Sequence, residues 1–130
     1  MLIFGHPYIK SESFYHIESV EAILHTPSNS TIYIIFNEKN LDLIDYARKN
    51  SIKFCLQVAS LKELIFAYSL QASYIITSQE NIIEAQKCAE TYLFDTKIIT
   101  LIKDDSEIET MARRSIDGVI YSNAIIKITS

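Results

Sequence analysis

Short runs of β-branched and aromatic residues recur along the chain at a nearly constant interval: Thr31 to Phe36, Ile52 to Val58, Ala72 to Ser78, Thr96 to Ile102 and Ile116 to Ser122. Their starts lie 21, 20, 24 and 20 residues apart. Between them, apolar residues fall at helical spacing, as in Leu61, Leu64, Ile65 and Tyr68, or Ile108, Met111 and Ala112. Strand and helix therefore alternate. The runs are almost continuously apolar, as in Ile32-Tyr33-Ile34-Ile35-Phe36. A half-exposed antiparallel strand would alternate with polar residues, so the pattern predicts parallel strands covered on both faces.

Start signals agree with this reading. Ser60 with Glu63 forms a capping box ahead of the Leu61 helix, and Ser106 with Glu109 offers a second. Asn37, Ser78 and Asp105 stand where a strand gives way to a helix and can accept from its free N–H groups. In the first thirty residues, Leu2 to Phe4 and Phe14 to Ile17 read as brief strands, and Ser19 to His25 as a short helix ended by Thr26-Pro27. Phe14 to Ile17 is taken as a sixth strand.

Length bounds the architecture. One hundred and thirty residues make one domain, expected over 1–130 with an N-terminal extension at 1–30 and βα repeats over 31–130. Five or six such units are too few to close an eight-stranded barrel, and half a barrel would leave its inner face wet. The expected fold is therefore α/β: a three-layer αβα sandwich on a mostly parallel, five- to six-stranded sheet. A leucine-rich solenoid is set aside because no fixed leucine frame repeats.

From Ile32 onward the layout resembles the receiver domain of bacterial response regulators, a flavodoxin-like fold. Ile32 to Phe36 followed by Asn37-Glu38 sits where a receiver has its first strand and acidic pair. Ala72 to Thr77, Lys97 to Ile102 with Lys103-Asp104-Asp105, and Ser115 to Tyr121 resemble its third strand, fourth strand and approach to the fifth. Receiver chemistry needs clustered carboxylates for magnesium, an aspartate acceptor, a hydroxyl residue and a lysine. At those positions stand Asn37 and Glu38, Thr77 or Ser78, Ile102, and Ser122 or Asn123. The resemblance thus implies a receiver-like domain without its phosphorylation residues. A second stretch, Val58 to Leu61 with Ala67 and Ala72 to Ile75, resembles one unit of a phosphate-binding barrel, but Gly118 stands at the start of a strand, the wrong end for a phosphate loop.

Composition removes several classes of function. A net charge of -4 leaves no footprint for nucleic acid. No apolar run approaches the length that crosses a bilayer, and Met1 to Phe4 lacks the basic start of a signal peptide, so the expected location is the cytoplasm. With 2 glycines in the chain, glycine-rich phosphate loops are excluded. Cys55 and Cys88 form no metal or redox motif and read as packing residues. His6, His16 and His25 have no ligand spacing, no Gly-x-Ser-x-Gly elbow occurs, and Asp104-Asp105 with Glu107 and Glu109 read as a solvated helix start. No cofactor, metal or catalytic residue is assigned.

The remaining candidate site is the C-terminal edge of the parallel sheet, where Asn37, Glu38, Thr77, Ser78, Gln79, Lys103, Asp104 and Asn123 would gather around a small polar ligand. Each doubles as a helix cap or turn residue, and that reading is preferred. The expected function is a non-enzymatic regulatory or scaffolding domain working through protein contacts, with a small-ligand-binding protein or minor enzyme as the alternative. Eight tyrosines and isoleucine-rich edge strands that need covering point to a protein partner or a homodimer.

Overall fold

A computed structural model describes Met1–Ile128, so the last two residues of the 1–130 domain lie outside it. The chain is α/β with a fully parallel sheet of eight strands, more than the five or six expected. The strands are β1 (Leu2–Phe4), β2 (Phe14–His16), β3 (Thr31–Ile35), β4 (Phe54–Gln57), β5 (Tyr74–Thr77), β6 (Lys97–Ile102), β7 (Gly118–Tyr121) and β8 (Ile125–Lys127). The helices are α1 (Val20–Ile23), α2 (Leu41–Lys49), α3 (Leu61–Ser69), α4 (Ile82–Thr91) and α5 (Ser106–Arg113). No helix among the described residues is long and apolar enough to cross a membrane.

Strand order runs β1-β7-β6-β5-β4-β3-β2-β8. From β2 to β7 neighbours in sequence are neighbours in space, so the order never reverses. A flavodoxin-like sheet requires a reversal, and the receiver-like layout is corrected on this point. The sheet also cannot be flat. Strands β7 and β8 stand six places apart in that order, roughly 29 Å at about 4.8 Å per strand. Only Ser122–Ala124 separates them, and four Cα steps span at most about 15 Å. The sheet must curl until its ends meet.

Side-chain packing shows the result. Along β3, Ile32 and Ile34 join the helices in one core, while Tyr33 joins a second core with Phe4, Phe14, Cys55, Ile76, Ile99, Ile120 and Ala124. The second core takes a residue from each of β1 to β7 and none from any of α1 to α5. Rings from distant strands meet inside it: Phe4 lies 5.0 Å from Phe14, and Tyr74 lies 5.5 Å and 5.1 Å from these two. The fold is a small barrel with its helices outside, and the open three-layer sandwich is corrected. Both faces of each strand are buried, as the apolar runs require, but the second face packs against the barrel's own interior. The wet inner face that argued against a barrel is filled by bulky rings and by the extra staves β1 and β8.

Four helices end in one way. Ser51, Gln71, Leu93 and Ser115 follow the C-caps of α2 to α5 in the left-handed conformation, with φ of 55°, 70°, 55° and 59°. The next residue donates back into the last turn: Ile52 to Ala47 O (2.9 Å), Ala72 to Ala67 O (3.2 Å), Phe94 to Ala89 O (2.9 Å) and Ile116 to Met111 O (3.1 Å). This is the Schellman closure, repeated in every full βα unit without a glycine.

At the opposite helix end, Ser60 Oγ accepts from Glu63 N (3.1 Å) and Glu63 reaches back to the Ala59 amide (2.9 Å). Ser60→Ala is expected to remove about 1 kcal/mol of stability, read as a lower urea midpoint at unchanged slope. The Ser106–Glu109 box does not form, because Ser106 is already helical and Glu109 pairs with Arg113.

Candidate functional site

In a βα barrel the residues after each strand's C-terminal end form the face where sites are built. The eight residues singled out from sequence lie along its periphery. The Asn37 side chain accepts from Lys39 N (2.9 Å), capping the 3-10 turn Glu38–Asn40, and Glu38 is exposed within that turn. Thr77 is buried, and its carbonyl accepts from Thr100 Oγ1 at 2.9 Å. It also lines an outer cleft of about 220 Å³ between the starts of α3 and α4. Ser78 is exposed, and α4 begins beyond it with Asn81 at the N-cap, so the expected Ser78 cap is absent. Asn123 donates to Gly5 O (3.0 Å) and ties the β7–β8 turn to the end of β1.

Gln79, Lys103 and Asp104 do come together, around the Glu107 carboxylate. Gln79 Nε2 donates to it at 2.7 Å, and the Lys103 and Asp104 amides donate at 2.7 Å and 2.9 Å. These bonds, the Gln79 amide foremost, hold the Glu107 carboxyl below its usual range. The arrangement is a loop clasp that closes the first turn of α5.

Beside it, Asp105 accepts from the Tyr121 hydroxyl and from His6 Nε2 (3.0 Å) rather than from helix amides. The Tyr121 bond, followed by that of His6, lowers the Asp105 carboxyl, while partial desolvation and then Asp105 itself push the Tyr121 phenol up to about 12. The Tyr8 amide donates to His6 Nδ1 (3.1 Å), which places the ring proton on Nε2. Both nitrogens of His6 are thus engaged, and the trio fastens the loop after β1 to β7 and α5. Among the described residues no group of three or more His, Cys, Asp or Glu side chains could hold a metal ion.

Inside the staves the picture differs. Side chains alternate along a strand, so the positions two beyond the inner core residues Phe14, Tyr33, Cys55 and Ile99 face the mouth: His16, Ile35, Gln57 and Leu101. The His16 ring packs edge-on against Tyr33 at 5.0 Å, and its Nε2 is 4.0 Å from Glu18, too far for a hydrogen bond. Burial lowers the His16 imidazole pKa, Lys127 adding to this against the opposing pull of Glu18, and the ring is neutral at pH 7. Glu18 pairs with Lys127 at 2.9 Å. Tyr33 is 5% exposed, and among the described residues no buried side-chain nitrogen or oxygen lacks a hydrogen-bonding partner.

The opposite end is closed. Glu12 accepts from Thr31 Oγ1 (2.6 Å) and faces Lys53 Nζ (3.4 Å), which also donates to the Tyr74 hydroxyl (3.2 Å). A cleft of about 600 Å³ opens at that end, between the α3–β5 and α4–β6 loops, lined by Tyr68, Ser73, Asp95 and Thr96 among others. Sites do not form at the N-terminal face of such barrels, and the Thr96 hydroxyl is held by Ala72 O (2.6 Å). Cys55 is sealed in the inner core and burial raises its thiol, so it is unreactive.

Sequence reasoning missed His16, Tyr33 and Gln57. In strands apolar on both faces, nothing in the pattern tells inner from outer positions. The one signal available was Gln57, a polar residue closing an otherwise apolar strand. Comparison with known proteins finds no matching family model and no curated protein that matches.

Proposed function

We propose that the chain is a non-enzymatic cytoplasmic domain, regulatory or scaffolding in role, that acts through protein contacts, and that the outer face of α3 is its contact surface. One observation carries this reading. Within two turns α3 turns Leu61, Ile65 and Phe66 outward, 39%, 43% and 48% exposed, and Phe66 extends the patch to Phe36 at 6.3 Å. A solvated helix of this length would carry polar residues there. The engagement of Asn37, Gln79, Lys103, Asp104 and Asn123 in caps and loop bonds supports the same reading. Two free cysteines suit a reducing compartment.

The test places a photo-crosslinking side chain at Phe66 and, as a control, at Asp45 on the exposed side of α2. Discrete adducts from position 66, abolished by Ile65→Lys, are the expected result. Equal labelling from both positions would remove the reading. A second reading, a small-ligand-binding protein or minor enzyme using the strand-end face, is favoured by a separate observation: the polar side chains of His16 and Gln57 stand on inward-facing strand positions at the mouth of the barrel.

A further inference from the structure

We propose that a partner protein fastens to α3 through an arginine side chain seated in the outer cleft between the starts of α3 and α4, with its guanidinium on Glu84. This deepens the reading of α3 as the contact surface and rests on it. The cleft has a volume of about 220 Å³, room for one long side chain. It adjoins the exposed patch directly, because Leu61 belongs to the patch, at 39% exposed, and also lines the cleft. The lining is of two kinds. Leu61, Leu64 and Ala85 supply apolar surface, and Ser60, Asn81 and Glu84 supply polar groups. A residue that matches both carries a hydrocarbon stem beneath a polar head, and long cationic side chains bury such stems while their heads stay at the water's edge.

Charge selects the head. Glu84 is exposed and makes no ion pair among the described residues, and no lysine or arginine lines the cleft. An anion would therefore face Glu84 with no cation to receive it. The positive end of α3 is already met by Ser60 and Glu63, and Glu84 itself stands in the first turn of α4. The Asn81 amide donates to Ala59 O at 3.4 Å and makes no bond to its helix, which leaves its carbonyl oxygen to accept beside the carboxylate. A guanidinium suits this pair better than an ammonium, because its planar fork donates in two directions at once. Arginine is also enriched among the residues that dominate protein interfaces, and the net charge of -4 steers basic partners toward this chain.

The test is titration of isotope-labelled full-length protein, followed by amide NMR, with three peptides of sequence acetyl-Ser-Leu-X-Leu-Ser-amide in which X is arginine, citrulline or glutamate. The expected result is saturable shifts at Leu61, Glu84 and Ala85 with the arginine peptide. Binding should be roughly 3- to 10-fold weaker for the citrulline peptide, and equally so for Glu84→Gln. Equal binding of the arginine and citrulline peptides, a preference for glutamate, or no shift at these three residues would overturn the arginine anchor. Crosslinking from position 66 judges the α3 surface separately. Adducts lost on both Ile65→Lys and Glu84→Lys are expected. Adducts lost on Ile65→Lys yet unchanged by Glu84→Lys would overturn the anchor and leave the surface standing, whereas equal labelling from positions 66 and 45 would overturn the two together.

Discussion

Gly118→Ala is expected to lower the thermal midpoint by about 8–11 °C, from a loss of roughly 2–3 kcal/mol spread over the unfolding entropy of a chain this size. A methyl group there would lie 3.0 Å from Leu2 Cβ, 3.2 Å from the Leu2 carbonyl oxygen and 3.3 Å from Ile99 Cγ1. The carbonyl belongs to the β1 backbone, which faces Gly118 in register, so the crowding is relieved only if that backbone gives by a few tenths of an ångström. The other glycine guards the same seam. Gly5 has φ of 93° and lies against Asn123, Ala124 and Tyr121, so Gly5→Ala adds backbone strain to crowding. Differential scanning calorimetry of both variants decides the matter; a midpoint within a degree of the parent would mean that β1 is not seated on β7.

The opposite sign is expected at the four helix ends. Ser51, Gln71, Leu93 and Ser115 each hold a left-handed conformation that costs an ordinary residue about 1–2 kcal/mol and costs glycine little. Part of that gain is offset by the greater freedom of glycine in the unfolded chain. Each change to glycine should therefore contribute about 0.5–1 kcal/mol. The sites lie in separate loops and should add, so the fourfold variant gains roughly 2–4 kcal/mol and melts about 7–15 °C higher. Leu93→Gly also removes a side chain that is 82% exposed. A fourfold variant that melts lower than the parent would sink the prediction.

The same closures explain how far the fold could be read from sequence. The alternation of strand and helix was legible because both faces of β3 to β7 are buried. The apolar runs nevertheless overshoot the strands: Ile52 and Ala72 lie ahead of β4 and β5, and Ile116 ahead of β7. Those residues are apolar because they complete Schellman closures. Curvature was not legible at all. A sandwich and a barrel demand the same doubly apolar strands, and the difference lies in β1 and β8, three residues each, whose pairing with β7 and β2 leaves no periodic trace.

The candidate site divides along the same line. Caps are local in sequence, so Asn37 and the Ser60–Glu63 box could be read directly. The clasp on Glu107 joins it to Gln79, 28 positions away across two loops, and the His6–Asp105 bond of the trio with Tyr121 joins residues 99 positions apart. The pairing of β5 with β6 brings the first groups together, and the register of β1 on β7 the second. The inner ring of His16, Tyr33 and Gln57 needed the inward direction of each strand, which the interior aromatic packing alone defines.

Closure of the barrel also bears on how this molecule can meet another. The outer members of the sheet are β1 and β8, three residues each, while the isoleucine-rich β3 and β6 are each paired on both sides. Little main chain is left to template further strands. Recognition must then fall to individual side chains on the helical exterior or at the mouth, and a single well-chosen replacement should abolish it where a backbone-paired contact would tolerate many.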